Sequence, residues 1–321
     1  MNNSLEIFLA FNDQRPCWPL IGSAILLSLV AFFGIISNFT LIYVTIRTKT
    51  LRGTANFLLA LTCFFEILHQ HGHFLFLYVA ISGQNFIEFH LALKICIVSL
   101  FGMAGIAPSL AFTAIDRLIC VVFPKIQINR KWLYLGFYTF VCILIGIIQT
   151  KVAFDTANQI GSQPITGTIG DLITAQLGKT FNVPAMVFNC ATIFIYFFIG
   201  IVIQKHKAKI SPSNAESTNC RIFRSIAIII CVNIGGYFTL NIFRSFIGPH
   251  IASPIVKWFT RQILAILSNI SSASIGPILY MTSEDYRRAI CKEFAWLMKL
   301  IGNQETPEIQ NHPPNNNGLN N

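Results

Sequence analysis

Seven apolar runs divide the chain, each so long and so nearly free of charge that only one kind of backbone can carry it. They cover about 21–46, 55–80, 92–122, 132–152, 182–204, 222–246 and 257–281. A helix needs about 20 residues to cross the hydrocarbon core of a bilayer. In that medium a helix satisfies every N–H and C=O within its own segment. Composition agrees, with 54% hydrophobic and only 11% charged residues among 321, where soluble domains carry roughly 25% charged. The expected fold is therefore all-α: a seven-transmembrane-helix bundle with little chain left for a soluble domain. Disorder, collagen and a secreted disulfide scaffold are excluded by the same figures. A net charge of +10 would suggest nucleic acid in a soluble protein; here its placement is what informs.

Polar punctuation sets the organisation. Residues 1–20 form a short N-terminal segment, 21–281 the membrane domain, 284–300 an amphipathic eighth helix beneath the membrane, and 304–321 an Asn- and Pro-rich tail expected to be disordered. With the N-terminus outside, 16 of the 23 Lys and Arg fall on the cytosolic side. Basic residues favour that side, so the C-terminus is expected in the cytosol of a multi-pass protein. The sequon Asn2-Asn3-Ser4 then faces the side where a glycan is attached at Asn2. Two further sequons, at Asn38 and Asn269, sit inside spans.

Ionisable and amide side chains are costly inside spans, so each one there is a candidate functional residue. Span three ends in Asp116-Arg117-Leu118; span seven ends in Gly276-Pro277-Ile278-Leu279-Tyr280, with Tyr286-Arg287 six residues on. Span one carries Asn38, and span two carries Glu66 ten residues after Asn56. Together these resemble the rhodopsin-like (class A) G-protein-coupled receptors: Asp116-Arg117-Leu118 their DRY box, Pro277 to Tyr280 their NPxxY, Asn38 their span-one Asn. More narrowly, Thr45 to Asn56, Phe65 to Gln70 and Ser82 to Ile87 resemble the nematode serpentine receptors of the Srsx family, over about residues 30–295. The resemblance implies a chemosensory receptor in the plasma membrane, not an enzyme, with no cofactor. Its partners would be a small-molecule or short-peptide ligand, a heterotrimeric G protein and the lipid bilayer, with no nucleic acid. Arg117 would pair with Asp116 at rest and, on agonist binding, line a cytosolic cavity as the inner end of span six swings out. By themselves the two residues also fit an ordinary interfacial ion pair.

Departures from the pattern matter as much. Glu66 stands for the usual Asp, and Gly276 for the Asn of NPxxY. Span six lacks Pro and Trp; Gly235-Gly236 is expected to kink it, with Tyr237 where the family's toggle aromatic sits. Pro108 should bend span three. Only Glu216 stands near Arg221 and Arg224, so an acid that locks span six to Arg117 is missing and basal activity is expected to be high. The family's span-three Cys falls on Ala92, and 151–181 contains no Cys, so its bridge is absent as a pair. Cys17 and Cys96 remain the two candidates for an outer bond.

His69 and His73 lie i, i+4 on span two above Glu66. That spacing suits zinc, but no third and fourth ligand is indicated, so the histidines are expected to give a polar lining to the ligand cavity, with Ser99 and Tyr237, or to make interhelical hydrogen bonds. Ser99 stands where amine receptors carry their Asp, and Ile270 where visual pigments carry the retinal Lys, which argues against both ligand classes. Arg244, Lys257 and Arg261 could attract an anion or simply snorkel. Cys291, on the amphipathic stretch, suits palmitoylation or an unmodified interfacial thiol. The alternative function is a transporter using Glu66 and the span-two histidines, but internal repeats are not apparent.

Overall fold

The computed structural model describes residues 3–123, 131–160, 163–173, 177–207, 228 and 231–295. Asn2, Glu216, Arg221, Arg224, the tail 304–321 and the last residues of 284–300 lie outside them. The chain is mostly helical: α1 (Asn3–Phe11), α2 (Trp18–Arg47), α3 (Thr54–Gln70), α4 (His73–Ile81), α5 (Phe89–Ile95), α6 (Ile97–Val122), α7 (Lys131–Ile160), α8 (Ile169–Leu172) and α9 (Gly178–Lys207) come first. Then follow α10 (231–242), α11 (Pro254–Ala273), α12 (Ile275–Thr282) and α13 (Glu284–Glu293). Among the described residues α2, α6, α7 and α9 are each long and apolar enough to cross a membrane. A fifth span forms if α11 and α12, bent 40° at their junction, count as one.

The helices are built inside out relative to a soluble protein. Along α2 the buried stripe is Leu20, Ala24, Leu27, Ala31, Gly34, Asn38 and Leu41, while Leu29, Phe32, Phe33, Ile36 and Phe39 face outward. The small and polar residues of this helix pack inward together with three Leu, and its Phe side chains face the lipid side. The apolar α9 has only 17% of its most hydrophobic window buried, whereas α6 has 72%. So α6 is the central helix, packed on α3, α7 and α9. Gly102 and Gly105 let it approach α3: a Cβ on Gly102 would fall 2.6 Å from the His69 nitrogen, and one on Gly105 2.4 Å from the Phe65 ring.

Span two is not one helix as expected. It breaks at His71-Gly72, between α3 and α4. Carbonyls freed by such a break need new donors in an apolar medium, and a neighbouring helix and the break itself supply them. Ser99 Oγ donates to the His69 carbonyl, and the His71 ring, in the break itself, turns back to donate from Nδ1 to the Leu68 carbonyl. In span six the helical pattern runs through Gly235-Gly236 and turns to π-type only at Phe243–Ile247. Gly236 instead allows close approach to α11, where its Cβ would lie 2.7 Å from Ser271 Oγ.

One end of the bundle carries a lid. Strand β1 (Ile87–Glu88) pairs antiparallel with β2 (Pro164–Ile165). Ile165, Ile169, Leu172, Ile173 and Leu177 are buried with Phe89, Ala92, Leu93 and Ala153 in one apolar cluster. Between the apolar runs that end near 152 and begin near 182, the described residues are thus partly the end of α7 and partly a packed cover. Helix α1 closes over the same end, its Ile7 and Phe11 sharing a cluster with Leu20, Phe76 and Trp258. Asn85 Nδ2 holds it by donating to the Phe11 and Gln14 carbonyls, both at 2.8 Å. Asp116, Arg117 and α13 lie toward the opposite end.

Candidate ligand cavity and switch residues

Beneath the lid a cavity of about 60 Å3 opens between α3, α4, α6, α9, α10 and α11. His69, His73 and Tyr237 line it, together with Pro108 of α6. Ser99 does not. It is wholly buried, its hydroxyl spent on the His69 carbonyl at the α3–α4 break, so its assignment to the ligand pocket is corrected.

A polar network forms one side of this cavity. Tyr237 OH donates to Glu66 Oε2 at 2.9 Å and lies 3.4 Å from His69 Nδ1; that nitrogen is 3.9 Å from the same carboxylate oxygen. His69 and His73 meet edge to face, 5.2 Å between ring centres. His73 Nε2 is 3.1 Å from Asn269 Oδ1, and Gln70 Nε2 donates to Ser272 Oγ at 3.1 Å. The network therefore ties α3 to α10 and α4 and α3 to α11. Glu66 has no accessible surface. Among the described residues no group of three or more His, Cys, Asp or Glu is arranged to hold a metal ion.

Sequence reasoning passed over the amides of this site: Gln149, Asn182, Asn189, Asn241, Gln262 and Asn269 all line the cavity. A signal existed. Asn182 and Asn189 are seven residues apart on one span, and Gln262, Asn269 and Ser272 form a polar stripe on another, which is the 3.6-residue periodicity of one helix face.

At the other end Asp116 Oδ2 is 3.8 Å from Arg117 Nη2, the acid fully buried and the guanidinium 18% exposed. Asn38 is buried too, but neither side-chain polar atom has a partner among the described residues; it does not join Glu66. Gly276, where the motif has Asn, faces Ser37 of α2, whose hydroxyl would have to turn aside for a Cβ. Tyr280 OH lies 3.7 Å from Cys291 Sγ, which places Cys291 against the end of α12. Pro277 lies three residues before Tyr280 on α12. Helix α13 docks on α2 through buried Tyr286, whose OH is 3.1 Å from Thr45 Oγ1, and through Glu293, 3.8 Å from Arg47 Nε. Burial pushes the Tyr286 phenol up, so it acts there as a neutral group.

The lid is latched without sulfur. Cys17 and Cys96 are buried free thiols in different apolar clusters. Asp171 is the latch: it accepts from Thr166 N at 3.2 Å, from Thr166 Oγ1, from Trp258 Nε1 at 3.5 Å, and pairs with Arg261 of α11. Its own N–H donates to Thr168 Oγ1 at 3.0 Å. Ala92, where a bridging Cys was expected by resemblance, packs in the lid's apolar cluster.

A family model described as "Serpentine type 7TM GPCR chemoreceptor Srsx" matches residues 31–294. Among curated proteins nothing matches the chain.

Proposed function

The chain belongs to the Srsx family of serpentine seven-transmembrane chemoreceptors, and from that premise we propose that it activates a heterotrimeric G protein at the plasma membrane. It is a multi-pass membrane receptor for a small-molecule ligand. In the proposed orientation the lid end faces outward, the Arg117 end faces the cytosol, and α13 is the eighth helix along the inner surface.

The observation that carries the mechanism is Tyr237. It stands on the cavity wall and its hydroxyl holds Glu66 of α3. A ligand that displaces the ring weakens a bond between α10 and α3 without touching the cytosolic end. A buried hydrogen bond of this kind contributes about 1–3 kcal/mol when a partner is lost, enough to shift two packings that differ by a few kcal/mol. The ligand moves the equilibrium only by its difference in affinity for the two packings. In the active packing Arg117, released from Asp116, meets the G protein; Pro277, Tyr280 and Asn38 repack with it. No catalytic role is proposed for any residue.

The test is a screen of volatile and water-soluble small molecules on transfected cells, reading G-protein activation, with wild type beside Arg117→Ala. The variant should lose the response while its surface level stays within about twofold, because the guanidinium is needed in the active packing alone. A response equal to wild type at equal surface level would overturn the coupling proposed.

A further inference from the structure

The cavity wall is chemically one-sided. Its cation is Arg244, on the π-type turn that ends α10, and no Asp or Glu is among the described residues that line it. Asp171, the nearest carboxylate of the lid, is already engaged by Arg261, Trp258 and Thr166. Glu66 lies behind Tyr237, off the wall. Arg244 itself makes no ion pair among the described residues, and its Nε is buried without a hydrogen-bond acceptor. Its guanidinium reaches the lid: a Cβ on Gly170 would fall 3.8 Å from Arg244 Nη2.

The unpartnered polar atoms around it have the same bias. Asn189 Nδ2 and Gln262 Nε2 line the cavity, are buried, and have no acceptor. Both are donors, as is Arg244 Nε. Ser268 Oγ, also unpartnered, can donate or accept, and His73 Nδ1 is the exception, an acceptor in a neutral ring whose Nε2 donates to Asn269 Oδ1. A buried donor without an acceptor is costly, and a buried charge without a partner more so. Gln149, Asn182, Asn241 and Thr168 add further polar groups to the wall, and Leu27, Met103, Phe181, Phe188 and Leu240 give it an apolar part. With about 60 Å3 of free volume, the space holds on the order of five water-sized groups at ~10–15 Å3 each.

We propose that this cavity selects a small organic anion, a carboxylate with a short apolar tail, whose charged group pairs with Arg244. The amide donors on the wall meet its other acceptor atoms, and the tail lies on the apolar wall. This deepens the receptor reading and rests on the cavity being its ligand site. It does not rest on G-protein coupling, so the two can fail separately.

The experiment uses the purified full-length receptor in nanodiscs of zwitterionic lipid, so that no anionic headgroup competes. Thermal unfolding is followed with straight-chain carboxylates from acetate to hexanoate, and with the matching primary amides, alcohols and amines; sodium chloride and inorganic phosphate serve as simple-anion arms. Carboxylates should raise the unfolding temperature in a saturable way, since a ligand that binds the folded state alone stabilises it. The neutral and cationic analogues and the simple anions should not. Arg244→Gln should weaken the midpoint at least about tenfold, the scale of one lost charge pair, while Arg244→Lys retains more of it. The proposal is overturned if an amide or alcohol stabilises as well as its carboxylate, if phosphate or chloride reproduces the effect, if Arg244→Gln binds undiminished, or if no carboxylate shifts unfolding at millimolar concentration.

Discussion

Among the described residues Arg117 has one acid within ion-pair distance, Asp116, beside it on the same helix and fully buried. Breaking a fully buried pair costs about 3–5 kcal/mol. With the guanidinium 18% exposed, roughly 1–2 kcal/mol is a fairer figure near the membrane edge. The pair restrains the resting packing in the proposed mechanism, and about 1.4 kcal/mol is tenfold in a two-state equilibrium. Asp116→Asn should therefore raise ligand-free second-messenger output several-fold to about thirtyfold, normalised to surface receptor. Unchanged or lower output from a well-expressed variant would show that Asp116 does not hold Arg117 back. Single residues of this sort were legible from type and position alone, because a charge inside an apolar run has few cheap explanations. Ser99 was misread for the opposite reason: a hydroxyl can vanish into a backbone carbonyl, and nothing in its spacing tells which.

Between elements, two contacts decide whether the cavity exists. The first is the α3–α6 seam, where Gly102 and Gly105 leave no room for a side chain. Gly102→Leu should force the helices apart at a cost of about 1–3 kcal/mol or more, and the protein should be retained inside the cell. Surface labelling against total protein reads this directly; normal surface levels would mean that the seam tolerates separation. The second is the lid latch. Asp171→Asn removes the charge from a nearly buried pair and should lower thermal stability in detergent by the equivalent of about 3 kcal/mol. Mild reduction should leave it unchanged, because the described cysteines are free thiols. A large effect of reduction with none from Asp171→Asn would place the lid's restraint in a disulfide after all. The lid was the element least visible in the sequence: Ile165, Ile169 and Leu172 are spaced like one helix face, yet sit among Gly, Thr and Gln that read as loop.

At the scale of the whole molecule the surface is the argument. Leu29, Phe33, Phe39, Phe137, Phe140, Phe194 and Phe197 point away from the protein, an apolar belt that only lipid can cover. The bias of Lys and Arg then sets the proposed orientation. An epitope fused before residue 1 should be stained on intact cells, and one fused after residue 321 only after permeabilisation. The reverse staining would invert the topology and move the cavity to the cytosolic face.

The sequence by itself determined the class of fold and where the costly residues lie. Hydrocarbon allows one regular backbone per uncharged run, and charge asymmetry is a sum over residues that needs no contacts to be read. Tertiary structure decided the rest. That Glu66 meets Tyr237 rather than Asn38, that span two breaks where Ser99 can cap a freed carbonyl, and that Arg261 is paired with Asp171 while Arg244 makes no ion pair among the described residues are facts about which helix faces meet. Every span offers polar groups at similar spacing. Which of them find partners depends on small residues such as Gly102 and Gly236 setting how closely the helices approach, and that distance is not written in any one segment.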